Sequence, residues 1–137
     1  MRIVLDTNVI VAGLLTPYGP SAEVMRMIVE KVQLCYDIRI FLEYKEVLSR
    51  EKFSFDPQSI EQILYHIQTS GYLVSTSPLP ESLPDSDDEP FLEVALFSKA
   101  ECLVTWNKKH YPEKLCQGMK ILTPEDFLNF YRTHMGK

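Results

Sequence analysis

Arg2-Ile3-Val4-Leu5-Asp6-Thr7-Asn8, near the start of the chain, is a short apolar run that stops abruptly on three polar residues. Its unbroken apolarity predicts a strand buried on both faces rather than one that alternates between core and solvent. Such a strand belongs in the middle of a parallel sheet, so this one stretch already argues for an α/β fold. Asp6 then stands at the carboxyl end of a central strand, where connections converge in open parallel sheets. Taken alone it has two readings: the opening of a turn or helix cap, or a ligand for a divalent metal ion. Thr7 and Asn8 also offer capping oxygens, which takes weight from the first. Asn8 is itself either an ordinary cap or a group hydrogen-bonded behind Asp6.

Working outward, Pro17, Gly19 and Pro20 mark a turn, and Ser21 is expected to cap a helix carrying Val24, Met25, Ile28 and Val29 at helical spacing. Val32 to Tyr36 reads as a second strand. Ile38 to Arg50 reads as a helix whose apolar face is Ile40, Phe41, Tyr44, Val47 and Leu48. Pro57 opens another, with Ile60, Ile63, Leu64 and Ile67 in repeat, until Gly71 ends it and Tyr72 to Ser75 run extended. Ser77 to Pro84 is proline-rich and predicts a surface connection rather than a domain linker. Then come a helix from about Asp88 to Ala100, apolar nearly all round, and a strand at Cys102 to Thr105. A short strand at Lys120 to Leu122 precedes a last helix capped by Thr123. The alternation predicts one domain over residues 1–137: a three-layer α/β/α sandwich around a mostly parallel sheet of four or five strands.

The bulk composition fits one core: 137 residues with 45% hydrophobic content. Fourteen basic against nineteen acidic residues give a formal charge of -5, which excludes a general basic field for holding nucleic acid. Any such contact must be local. Cys35, Cys102 and Cys116 are odd in number and lack metal-type spacing, which predicts reduced thiols and a cytoplasmic protein. The apolar stretch from Ile3 to Leu15 is interrupted by Asp6 and Asn8 and is not expected to act as a signal peptide. No run is long enough to span a membrane.

Several acids stand where a fold alone would not put them. Glu43 borders the apolar stripe of its helix and needs a partner, which is either a basic residue or a metal ion. Glu46 points outward and precedes Arg50 by four residues, the spacing of a solvated ion pair. In Asp85-Ser86-Asp87-Asp88-Glu89-Pro90 a helix start favours acids, with Asp87 the expected cap and Pro90 in the first turn. Asp88 leans toward the core side. Asp85 and Glu89 are expected in solvent, with Asp85 a weaker candidate for a second metal. Asn107 follows its strand as Asp6 does and is either a turn former or a neutral ligand. Thr105 offers a hydroxyl nearby, and Lys108, Lys109 and His110 form a small basic lip that could touch phosphate or simply be loop. His66 and His134 read as surface residues.

Asp6, Glu43, Asp88 and Asn107 together resemble the acidic site of a PIN domain, the family that supplies many ribonuclease toxins of toxin–antitoxin pairs. The carriers are Val4-Leu5-Asp6-Thr7-Asn8-Val9-Ile10, Leu42-Glu43-Tyr44-Lys45-Glu46-Val47-Leu48, Asp85 to Leu92, and Leu103-Val104-Thr105-Trp106-Asn107. They span nearly the whole chain, and their order and spacing carry the likeness. The resemblance implies Mg²⁺ or Mn²⁺ held by Asp6, Glu43 and Asp88, with Asn107 as a fourth, weaker ligand and Asn8 and Thr105 behind them. It implies hydrolysis of RNA, an antitoxin partner and a homodimer. Two positions depart from the pattern: Asn107 stands where many PIN nucleases have a fourth acid, and Trp106 where a small residue is more usual. The neutral Asn107 leaves open a degenerate PIN domain that binds RNA or protein without cutting. A response-regulator receiver would need paired acids after the first strand, and a haloacid-dehalogenase-type phosphatase a second Asp where Asn8 stands.

Overall fold

The computed structural model describes residues 1–135. Five strands are described, β1 (Arg2–Leu5), β2 (Gln33–Tyr36), β3 (Tyr72–Leu73), β4 (Cys102–Val104) and β5 (Ile121–Leu122). They form one sheet in the order β3-β2-β1-β4-β5, with every pairing parallel. Six α-helices flank it: α1 (Thr7–Leu15), α2 (Pro20–Glu30), α3 (Ile38–Leu48), α4 (Pro57–Ser70), α5 (Glu89–Ser98) and α6 (Pro124–Met135). Ile3, Val4 and Leu5 of β1 and Cys102, Leu103 and Val104 of β4 have no solvent exposure, which requires helical cover on both faces. The α/β/α layering expected from the sequence is therefore present, with a fully parallel sheet.

The strand order fixes where a site can lie. From β1 the chain builds outward through β2 and β3, then returns to the other side of β1 for β4 and β5. The crevice between the carboxyl ends of β1 and β4 is the switch point of an open parallel sheet. Ile3, Val4 and Leu5 pair with Cys102, Leu103 and Val104, so Asp6 and Thr105 leave the sheet side by side. The Asp6 amide still donates to the Val104 carbonyl, 2.9 Å.

Several local expectations change. The apolar run after Asp6 turns at once into α1, with no intervening loop. Gly19, not Ser21, is the N-terminal cap of α2; Ser21 is buried inside its first turn. At the acidic segment a 3-10 turn over Ser86–Asp88 precedes α5, and the cap is Asp85, whose carboxylate accepts from the Asp87 amide at 2.9 Å. Asp87 has no capping role because that turn tightens one step earlier than a helix would. Helix α5 is not apolar all round: Phe97 is exposed, whereas Glu93 is buried. Glu93 pairs with Arg39 at 2.8 Å, and Arg39 also binds Asp37 at 2.6 Å. Glu89, expected in solvent, accepts from the Leu83 amide at 2.9 Å and Glu93 from that of Leu79 at 3.3 Å. Two helical carboxylates thus strap the proline-rich connection to α5. His66 is half-buried and donates to the Ile28 carbonyl at 3.0 Å, tying α4 to α2, while His134 is exposed as expected. All three cysteines are free and buried. No helix among the described residues is long and apolar enough to cross a membrane.

Candidate metal-binding site

Three elements bring the acids to the crevice. Asp6 is placed by β1 and is only 6% exposed. Its Oδ2 accepts the Thr105 hydroxyl at 2.9 Å and the Tyr111 hydroxyl at 3.0 Å, which leaves Oδ1 without a side-chain donor. Glu43 is placed by α3, and α3 is pinned to β1 by the fully buried Tyr44, whose hydroxyl donates to the Leu5 carbonyl at 2.6 Å. The Glu43 carboxylate accepts the Thr7 hydroxyl. A hydroxyl therefore stands where a basic residue was the alternative to a metal ion, and no salt bridge to Glu43 is formed among the described residues. Tyr44 also packs against Phe91 of α5 with ring centroids 6.4 Å apart, which sets the start of that helix near α3. Asp88 lies there, 9% exposed. His110 Nδ1 stands 3.2 Å from Asp88 Oδ2, close enough for charge attraction but outside hydrogen-bond geometry, so this buried oxygen has no donor.

Uncharged groups behind the acids form one chain. Thr105 Oγ1 donates to Asp6 and accepts from Asn8 Nδ2 at 3.3 Å and the Asn107 amide at 3.0 Å. A hydroxyl has one proton and two lone pairs, and all are used. Asn8 Oδ1 in turn accepts the Trp106 amide at 3.0 Å. Asn107 opens the 3-10 turn over Lys108–His110 through its carbonyl, which accepts the His110 amide at 2.9 Å, while its side chain makes no cap hydrogen bond and the residue is exposed at the rim. Asp85 is exposed and engaged in its cap. Of the basic lip, Lys109 is exposed, Lys108 lies 3.8 Å from Asp126, and His110 turns inward to Asp88.

The PIN domain family model matches residues 2–109. The chain belongs to the PIN-domain family. Among solved structures the PIN fold here is similar to VapBC2 from Rickettsia felis bound to a DNA fragment from their promoter. That match has 14% identity, covers 88% of this chain and 97% of that one, and has a TM-score of 0.57. VapBC-1 from nontypeable Haemophilus influenzae matches at 17% identity, 91% and 99% coverage and a TM-score of 0.59. FitAcB from Neisseria gonorrhoeae matches at 14% identity, 90% and 98% coverage and 0.55. No curated protein matches the sequence significantly.

The electrostatics of this PIN domain show carboxylates under mutual pressure. Burial pushes the Asp6 carboxyl up, against the opposing hydrogen bonds from Thr105 and Tyr111. Burial also raises Glu43, and the Asp6 charge adds to it despite the Thr7 hydroxyl. Asp88 is raised to about 6 by burial and the Asp6 charge, with His110 opposing. Asp6 therefore acts on both of the others, which places the three within one field. Among the described residues no group of three or more His, Cys, Asp or Glu side chains, Asp6, Glu43 and Asp88 included, is placed to hold a metal ion. The donor set nevertheless fits a hard cation: carboxylate oxygens, one of them buried and without a donor.

These shifts have a definite sign in stability. An Asp88 carboxyl raised above its unfolded value leaves the native state holding more protons between about pH 4 and about pH 6. Its stabilising contribution is complete below that window and lost as pH rises through about 6. Asp88→Asn should therefore melt higher than the parent in EDTA at pH 7, by ~3 °C, or about 1 kcal/mol after discounting for solvent screening. The difference should vanish at pH 4, and thermal melts across this range measure it. An equal Tm difference at both pH values would contradict the assigned strain.

Tyr111 and Thr7 are the site members that the sequence reading did not single out. Tyr111 follows a 3-10 turn in an irregular segment, where no periodicity marks a buried residue. Thr7 looked like one more helix-capping oxygen.

Proposed function

We propose that the protein is a Mg²⁺- or Mn²⁺-dependent endoribonuclease that hydrolyses RNA phosphodiester bonds and serves as the toxin of a toxin–antitoxin pair. The observation that carries this reading is Asp88 Oδ2, a buried carboxylate oxygen without a donor, sharing the field of Asp6 with Glu43 at the β1/β4 crevice. Asp6, Glu43 and Asp88 would hold the ion, Asn107 would add a neutral carbonyl oxygen, and Asp85 is a weaker candidate for a second ion. When bound, the ion supplies Lewis-acid polarisation of the phosphodiester and of the attacking water. The rest is done by the chain. Thr105 and Tyr111 hold Asp6 by one oxygen and leave the other available, and Thr7 orients Glu43. Asn8 keeps Thr105 in place, and of the lip formed by Lys108, Lys109 and His110 it is Lys109 that, among the described residues, offers free positive charge to the RNA backbone, Lys108 lying near Asp126 and His110 against Asp88.

The reading requires that purified protein cut RNA with Mg²⁺ or Mn²⁺, that EDTA stop it, and that metal affinity rise with pH, because the Asp88 carboxyl, raised by burial and the Asp6 charge in the metal-free protein, must lose its proton to bind the ion. Tyr111→Phe removes one of the two hydroxyls on Asp6 and should weaken metal affinity by about tenfold to a hundredfold, read by metal titration of activity. The neutral, outward Asn107 favours one competitor, a degenerate PIN domain that binds RNA or protein without cutting. Saturable RNA binding with no cleavage at any metal concentration would establish that competitor. The family resemblance supplies an antitoxin and a second copy of the chain as partners, with exposed Ile38, Leu42 and Tyr65 as apolar surface for them. In this reading the chain acts in the cytoplasm as one PIN-like unit over residues 1–137.

A further inference from the structure

We propose that Trp106 is a stacking platform for an unpaired base of the RNA and that it directs the site to single-stranded substrate. This rests on the ribonuclease reading and adds to it the group that holds a nucleotide beside the carboxylates. Trp106 follows β4 directly and is 40% exposed, a large aromatic side chain on the rim of the crevice. It is held firmly: the indole Nε1 donates to Ser21 Oγ at 2.8 Å, and the backbone amide donates to Asn8 Oδ1 at 3.0 Å. Ser21 is itself buried, at 2% exposure. The only polar group of the ring is thus satisfied inside the protein, and its orientation is set before any ligand arrives, which lowers the ordering cost of binding.

The backbone that carries the ring is also tied to the chemistry. Trp106 bonds to Asn8, Asn8 to the Thr105 hydroxyl, and that hydroxyl to Asp6. A base on this ring would lie at the same strand end as the proposed metal ligands. Charge makes such a contact necessary. The chain carries a net charge of -5, the crevice holds carboxylates, and Lys108 lies near Asp126, so the phosphate backbone meets little attraction from the protein. Stacking needs no charge and tolerates any base. A base inside a duplex is already stacked and paired, so only an unpaired one can turn onto a side chain.

Trp106 is the one tryptophan of the chain, so its fluorescence reports on this ring alone. The full-length Asp6→Asn protein, titrated in Mg²⁺ with a short unstructured oligoribonucleotide, should show saturable quenching, and the duplex of the same sequence should show none. In the otherwise unchanged enzyme, Trp106→Ala should raise KM for unpaired RNA by about tenfold to a hundredfold, with a much smaller fall in kcat. Trp106→Phe, which keeps a ring but loses the Ser21 bond, should recover most of that KM. Absence of quenching, equal quenching by duplex, or an unchanged KM in a folded Trp106→Ala protein would overturn the proposal and leave the ring to a protein partner or to packing. Quenching by single strands in a protein that never cleaves would support the platform while removing the ribonuclease reading. Cleavage with an unchanged KM would do the reverse.

Discussion

Asp6→Asn should lower metal-dependent RNA cleavage by about a thousandfold, the several kcal/mol of charge stabilisation that a correctly held ion provides. Asp6 is the residue on which the other two acids depend, because its charge raises both Glu43 and Asp88. The substitution is nearly isosteric. Asparagine keeps an oxygen that can accept the Thr105 and Tyr111 hydroxyls, so the hydrogen bonds that anchor β1 to β4 have somewhere to go. It also removes a charge that burial disfavours, so the metal-free variant should melt no lower than the parent. Asp88→Asn should behave alike in cleavage. Single-turnover assays over a full Mg²⁺ and Mn²⁺ titration, with melting curves on the same samples, make the measurement. Parental cleavage rates in both variants would sink the metal assignment, whereas loss of folding in both would point to a purely structural role.

The largest effect on stability is expected far from the crevice. Gly71 ends α4 in extended backbone, with φ -77° and ψ 170°, so its conformation is open to any residue. The space is not. A Cβ there would lie 2.5 Å from the Ile67 carbonyl oxygen, 2.8 Å from Tyr36 Cε1 and 3.0 Å from the Leu34 carbonyl oxygen. Two of the three are backbone atoms, one at the end of α4 and one in β2, so relief requires the helix and the sheet to move apart. Gly71→Ala should cost about 3 kcal/mol, roughly 10 °C in Tm. Gly13→Ala is the control: its Cβ would strike chiefly Met25 Sδ, the mobile end of a flexible side chain, at 2.3 Å. It should therefore cost clearly less. Urea or thermal unfolding separates the two, and equal costs would show that the α4–β2 contact yields more readily than its atoms suggest.

Where periodicity speaks, the fold was legible. The strand before Asp6, the stripe of α3 that brings Glu43 to its border, the proline that opens α4 and the threonine that caps α6 follow from local spacing and capping chemistry. Their convergence was not readable from spacing; it came from the likeness to PIN domains. Residues whose role depends on a distant partner stayed hidden. Glu93 sits among apolar neighbours on α5, and only Arg39, from the other side of β3 in sequence, explains its burial. His110 looked like the end of an exposed basic run until Asp88 was beside it. Asp85 and Asp87 exchange roles because a 3-10 turn and an α-helix differ by one step in their hydrogen bonding, which composition does not record.

The bonds that close the crevice have one further property. Thr105 reaches Asp6 across 99 residues, Trp106 reaches Asn8 across 98, and Tyr111 reaches Asp6 across 105. Such long loops close late in folding, after local helices and hairpin-scale contacts have formed. A chain emerging from the ribosome accordingly has no assembled centre until β4 and the segment through Tyr111 are available. Asp6 must wait for a further 105 residues before it has both of its partners. If the centre cuts RNA, the cell's own message is out of reach of the unfinished enzyme that is being translated from it.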